Sequence, residues 1–291
     1  MFTLENEYLK IEINSKGAEL NSIYNKKKNI EYMWSGDPAF WGKKSPVLFP
    51  IIGSLKNDTY YFENKAYQLS RHGFAREMEF EVTNQNASAI TFTLIRSNAT
   101  LEKYPFQFKF DIIYSIKDKQ LQVTYRVVNK GDISQKLYFS VGGHPAFKLP
   151  VLPATSYTDY WLEFNKKENA GRWPISGEGL IKEQPIPLMT DTNRLPLAKD
   201  LFYTDAIVFK KLNSTSVKLV SGQSGEIFDF DFTGFPYLGI WAAKGADFVC
   251  IEPWCGIADS VNSNQQLTEK EGINVLDSTD QFERTWKFTA C

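Results

Sequence analysis

Histidine and cysteine are scarce: 291 residues contain two histidines and three cysteines. His72 and His144 lie far apart in the chain, and four residues separate Cys250 from Cys255, so no zinc-ligand spacing exists. Three cysteines (Cys250, Cys255, Cys291) are too few and odd in number for a disulfide framework. Charge of one sign is also lacking, since 33 Lys and Arg balance 34 Asp and Glu to a net charge of -1. No global basic field exists to hold nucleic acid or an anionic membrane. No stretch approaches the ~20 apolar residues of a membrane span. The opening MFTLENEYLKIEI has acidic residues and no continuous apolar run, which predicts no secretory signal. A reducing, cytoplasmic setting is the simplest expectation. Phosphate-cradling glycine motifs and a G-x-S-x-G nucleophile elbow are missing as well.

Aromatic and apolar residues are plentiful. Hydrophobic residues make up 43 % and aromatics 15 %, with 22 Phe, 14 Tyr and 7 Trp, which is enough to build a sizeable core and favours strands. The dominant period is two. Ile90–Arg96, Phe106–Ile116, Leu121–Val128 and Glu226–Phe232 alternate apolar with polar residues, as strands with one face on a core do. The polar gap Lys117–Gln120 predicts a hairpin between the second and third. Tyr8–Ile13, Leu137–Val141, Ala206–Phe209 and Arg284–Phe288 read as further strands. The best helical candidate, Gln265–Glu271, is short and stopped by Gly272. Residues 165–200, polar and proline-rich, read as a long ordered excursion. The expectation is all-β: a single domain over 1–291, folded as a sandwich or barrel.

Three segments could carry chemistry. Ser70–Arg76 sets His72 and Gly73 between Arg71 and Arg76, with Phe74 beside them, where glycine permits a sharp turn or a close approach. Gly142–Phe147 puts His144 on a constrained Gly-Gly-His-Pro bend, and such rigidity suits a functional imidazole. In Phe248–Gly256, Glu252 leaves an apolar strand just before Pro253, where desolvation raises a carboxylate towards useful general-base values. Trp254 and Phe74 offer flat apolar faces of the kind sugars stack on. Taken one at a time, each of these also reads as ordinary turn, pairing or packing. Glycoside hydrolysis normally needs two opposed carboxyl groups, and Glu252 is the one carboxylate nominated.

In their order, these segments make the chain similar to the aldose 1-epimerase (mutarotase) superfamily, and above all to its LacX-like branch. The resemblance runs nearly end to end. It takes in Gly17–Leu20 with Trp34 and Trp41, Ser45–Pro50, His72–Arg76, Gly142–Phe147, Ile251–Trp254, and Lys270–Ile273 followed by Trp286. It implies a large two-sheet antiparallel β-sandwich and the interconversion of α and β anomers of a hexose, without metal or cofactor. Glu252 matches the family base, His144 the family acid, and His72 a histidine that contacts the sugar near the ring oxygen and C1. Arg76 would contact a hydroxyl or phosphate.

Two sugar-gripping groups of the galactose mutarotases have no match in the resemblance. An arginine before the first site histidine aligns with Ser54, and an aspartate aligns with Gly234. The His72–Arg76 segment is shared with a hexose-6-phosphate mutarotase branch, for which Arg71, Arg76 and Lys56 would gather round a phosphate. The implied partner is a small-molecule sugar or sugar phosphate, handled by a monomer or homodimer. The alternatives are a hexose-6-phosphate mutarotase or a non-catalytic carbohydrate-binding or sensing protein.

Overall fold

Along the strand Gln120–Asn129 every second residue is buried, so the period-two pattern of Leu121–Val128 is the pattern of one covered face. Its neighbour is Phe108–Lys117, with Lys117 paired to Gln120. The expected hairpin is therefore present, and its two-residue turn holds Asp118 at a φ of 51°, a region aspartate tolerates better than most residues. The computed structural model describes residues 1–291. Strand accounts for 49 % of them and helix for 7 %, which confirms the all-β class.

Nine strands form the larger sheet, in the order Ile186–Pro196, Tyr160–Arg172, Ser216–Ser221, Gly225–Asp231, Gln281–Ala290, Gln120–Asn129, Phe108–Lys117, Ala89–Ile95, Glu81–Gln85. Every pairing is antiparallel. Against it lies a second sheet of Ile207–Phe209, Tyr237–Trp241, Phe248–Cys255, Val141–Gly143 and Val47–Leu48, with Ala146–Lys148 also on Phe248–Cys255. Aromatic rings join the two layers. Phe147 meets Phe228 at 4.5 Å between ring centroids, and Phe49 stacks on Phe110 at 4.5 Å. Each such fully buried phenylalanine contributes roughly 1.5–3 kcal/mol of apolar burial. The facing side chains belong to one cluster of 72 buried residues.

A four-stranded sheet (Phe2–Glu5, Leu9–Ile13, Leu20–Asn25, Ile30–Glu31) extends this core through Phe2 on Phe92 and Tyr32 on Phe288. A second, smaller cluster of eight buried residues, including Leu48, Ile52, Val208 and Trp254, lies outside the main core. The candidate site opens beside it.

Three expectations change. Residues 165–200 are an excursion only in part: 165–172 and 186–196 belong to the last two strands of the nine-stranded sheet, prolines being tolerated on the edge strand because one side needs no partner, while 173–185 leave the sheet. Gln265–Glu271 shortens to a 3₁₀ turn at Leu267–Glu269. Leu137–Val141 divides in two: Leu137–Phe139 pairs with Asn274–Leu276, and Val141–Gly143 joins the second sheet. No helix is long and apolar enough to cross a membrane.

Candidate functional site

The strand Phe248–Cys255 is buried at every residue, and a charged side chain is rarely found in such a strand without a partner. Residues two apart share a face, so Cys250, Glu252 and Trp254 project to the same side. Strand register then supplies the partner. Gly142 pairs with Trp254 and Ala146 with Cys250, which leaves His144 beside Glu252. Nε2 of His144 lies 3.3 Å from Oε2 of Glu252. So close an approach needs glycine at 142, because a Cβ there would stand 2.8 Å from the Pro253 carbonyl oxygen. Trp41 stacks on the His144 ring at 4.9 Å and 30°, and Trp241 meets it edge-on at 5.5 Å.

His72 arrives from a turn in which two successive residues, His72 at φ 69° and Gly73 at φ 70°, are left-handed. Phe49 clamps that turn: its carbonyl accepts from the N–H groups of Phe74 and Ala75, and its own N–H donates to the His72 carbonyl. The imidazole is fixed by Gly53, whose N–H donates to Nδ1 at 3.1 Å. An Nδ1 that accepts carries no proton, so the neutral ring keeps its hydrogen on Nε2 as a donor. The His72 and His144 rings are 5.8 Å apart and nearly perpendicular. A Cβ at Gly73 would fall 2.4 Å from the Phe49 oxygen. Gly73→Ala therefore combines a backbone clash with a strained φ. The expected loss is about 2–4 kcal/mol of stability, read from urea denaturation midpoints; an unchanged midpoint would contradict it.

These groups line a cavity of about 640 Å³ together with Arg71, Arg76, Asp205, Trp41, Trp241 and Trp254, a size within the usual range for small-molecule sites. Arg71 donates from Nε to Ser54 Oγ at 3.2 Å, and its Nη2 lies 3.7 Å from Asp205 Oδ2. A cation and a carboxylate are therefore present, although Ser54 and Gly234 lack them. Gly234 instead accepts from Arg284 Nε through its carbonyl. Arg76 reaches the Arg71 carbonyl from Nη2 at 2.9 Å, and its Nε is buried without a partner.

Two sequence expectations are corrected. Phe74 packs away from the cavity on Phe49, Tyr104 and Phe108, because the double left-handed turn sends it back into the core. Lys56 donates to the Val261 carbonyl at 2.9 Å and does not line the cavity. Trp254 does line it, but at 6 % exposure most of its surface is spent on packing. Trp41, Trp241 and Asp205 escaped the sequence reading of the site. A polar Thr204-Asp205 pair just before an apolar strand was the one available signal for Asp205.

Burial sets the electrostatics. It pushes the Glu252 carboxyl well above the usual carboxylate range, and the charge of Asp205 adds to this, against opposition from the Trp254 indole and Arg71. Burial also lowers His144 to about 3, with Arg76 and Arg71 contributing. His72 is driven well down, again by burial first, then by His144 and the two arginines. Burial thus favours a neutral carboxyl and a neutral imidazole over an ionised Glu252–His144 pair. Cys250 joins them, with donor atoms of all three within 4.8 Å of one another. Its thiol is held protonated by burial, whereas metal binding requires a thiolate.

The family profile described as aldose 1-epimerase matches residues 1–272. The chain belongs to the aldose 1-epimerase family. The chromosomal LacX protein of Lactococcus lactis subsp. lactis is 32 % identical over 295 residues, covering 98 % of each chain. A galactose mutarotase related enzyme from Lactobacillus acidophilus superposes with a TM-score of 0.93 at 33 % identity, over 100 % of this chain and 97 % of that one. A galactose mutarotase-like protein from Lactobacillus casei gives 0.93 at 32 % identity, over the whole of both chains. The sandwich described above is the galactose mutarotase-like sandwich.

Proposed function

We propose that this aldose 1-epimerase family member interconverts the α and β anomers of a hexose by opening and reclosing the ring. The observation that carries the reading is the buried Glu252–His144 pair, facing a cavity whose other imidazole, His72, is fixed as an Nε2 donor. Ring opening removes the proton of the C1 hydroxyl and delivers one to the ring oxygen. Glu252 as carboxylate takes the first proton, and His144 as imidazolium gives the second. The result is a neutral carboxyl and a neutral imidazole, the proton arrangement that burial already favours. The C1–C2 bond rotates and the two transfers reverse, which closes the ring on the other anomer. The pair begins and ends with one proton in total, so turnover needs no exchange with solvent. Each group of this kind contributes roughly 10²–10⁴-fold.

His72 Nε2–H would donate to the ring oxygen or the C1 oxygen as charge develops there. Trp41 and Trp241 present apolar faces to the C–H side of a pyranose. Asp205 and Arg71 would grip hydroxyls in place of the groups missing at Gly234 and Ser54.

A phosphorylated hexose is the second reading, favoured by the unpartnered Nε of Arg76 at the cavity. Saturation-transfer NMR of galactose, glucose and glucose 6-phosphate tests both. Acceleration of any one supports an epimerase, and sugar binding by calorimetry with unaccelerated exchange in all three would leave a carbohydrate-binding protein. If the phosphate is the recognised feature, Arg76→Ala raises KM for glucose 6-phosphate about 10–100-fold, the loss of a charged hydrogen bond. KM for free glucose should then shift by less than about 2-fold, and equal effects on both sugars would reject the phosphate reading.

A further inference from the structure

His72 is held through Gly53, and what holds Gly53 lies outside the cavity. Three segments of cavity wall meet at one residue behind it, Asp259, which is 4 % exposed. Its N–H donates to the Ser54 carbonyl at 2.9 Å, and its Oδ2 accepts from the Lys56 N–H at 3.0 Å. Its carbonyl accepts from the Ile181 N–H at 2.8 Å. The residue before it, Ala258, packs so closely on Gly53 that a Cβ at position 53 would lie 2.4 Å from the Ala258 Cβ. Gly53, Ile181 and Ala258 all line the cavity. Asp259 thus joins the 53–56 turn, the strap around 181 and the chain leaving Glu252.

The remaining oxygen of Asp259, Oδ1, accepts from Lys270 Nζ at 2.7 Å, and both side chains are 3 % exposed. Removing a cation and an anion from water together is costly, and a well-packed apolar pair would serve packing as well. An ion pair does differ from an apolar pair in direction: it fixes where each Asp259 oxygen points. With Oδ1 committed to Lys270, Oδ2 is left aimed at the Lys56 N–H, and the turn that carries Gly53 has one orientation. No cavity atom is supplied by Lys270 itself.

We propose that Lys270 and Asp259 are positioning residues for His72, acting through the 53–56 turn to hold the Gly53 N–H on Nδ1. The catalytic part of this inference rests on the epimerase reading above. The tautomer part does not, and the chain's two histidines make it directly observable. In ¹⁵N-labelled protein, the long-range ring correlations of His72 should report a bare Nδ1 and a protonated Nε2 near neutral pH. A double variant, Asp259→Asn with Lys270→Met, removes both buried charges together and so avoids stranding either one. The expected result is a folded protein in which the His72 signals shift towards mixed tautomers. The kcat for anomer exchange should fall about 10-fold with KM changed less than 2-fold. Lys270→Arg, which keeps a cation on Oδ1, should retain the single tautomer and most of kcat. A folded double variant with an unaltered His72 tautomer would overturn the proposal, whatever its activity. Should the double variant fail to fold, Lys270→Gln is the second test, with the same two outcomes. If the wild-type protein accelerates no anomer exchange, the epimerase reading fails alone and the tautomer measurement still decides the positioning role.

Discussion

Glu252→Gln is expected to lower kcat for anomer exchange by roughly 10²–10⁴-fold while leaving the protein as stable as before or more so. Gln matches Glu in shape but can neither take the C1 hydroxyl proton nor pass it back. The stability half of the expectation follows from burial. Glu252 is 1 % exposed, and its carboxyl is pushed well up because the charged form is poorly solvated there. A neutral amide removes that penalty near neutral pH. On the epimerase reading, the carboxylate would be kept for chemistry at some expense of stability. Polarimetry for the rate and a thermal melt for the fold check both halves. A variant that still exchanges anomers at the wild-type rate would remove Glu252 from the mechanism. One that melts far below wild type would show that the carboxylate supports the fold.

The contrast between the middle and the edge of the nine-stranded sheet explains what could be read from the sequence. Gln120–Asn129 sits mid-sheet with one face covered, and its alternation is visible without any structure. Tyr160–Arg172 and Ile186–Pro196 pair just as surely, but their register shifts between Glu163 and Glu168 and again at Ala170. Each irregularity breaks the period of two, and Glu168 is buried within it, accepting from the Asn213 and Ser214 N–H groups. An edge strand with bulges and prolines carries no periodic signal, so the segment read as an excursion.

The site divides in the same way. Glu252, His144 and His72 stand in short segments whose glycines and prolines mark them as special. Phe74 and Arg71 stand in the same segment as His72, yet only Arg71 faces the cavity. The turn that separates them depends on two consecutive positive φ values, which residue types alone do not disclose. Trp41, Trp241 and Asp205 reach the cavity from three distant parts of the chain. Only tertiary register brings them there.

The same three buried groups that define the site set an unusual pH dependence of stability. Both histidines have folded pKa values below the ~6.5 of an unfolded chain. Above that value neither state of the chain protonates them, and they contribute nothing to the pH dependence. As pH falls below it, the unfolded chain takes up protons that the folded chain refuses, and each histidine costs up to about 1.4 kcal/mol per pH unit. For His144 this continues down to about 3. Glu252 works in the other direction. Its folded pKa is raised, so its favourable contribution is complete below the unfolded value of ~4.3 and is lost as pH rises through the folded value. Below ~6.5 two histidines act against one carboxyl, so the combined effect of the three is that stability rises with pH there. Above ~6.5 the histidines contribute nothing further, and Glu252 lowers stability with rising pH only as far as its folded value. Urea denaturation from pH 4.5 to 9 should show the acid-side loss in the wild-type protein. Glu252→Gln should steepen the acid-side loss and gain on wild type as pH rises, and His72→Gln should make the acid-side loss shallower. Parallel stability curves for wild type and Glu252→Gln across the whole interval would mean that burial does not raise the folded carboxyl, and the preference for a neutral pair would have to be abandoned.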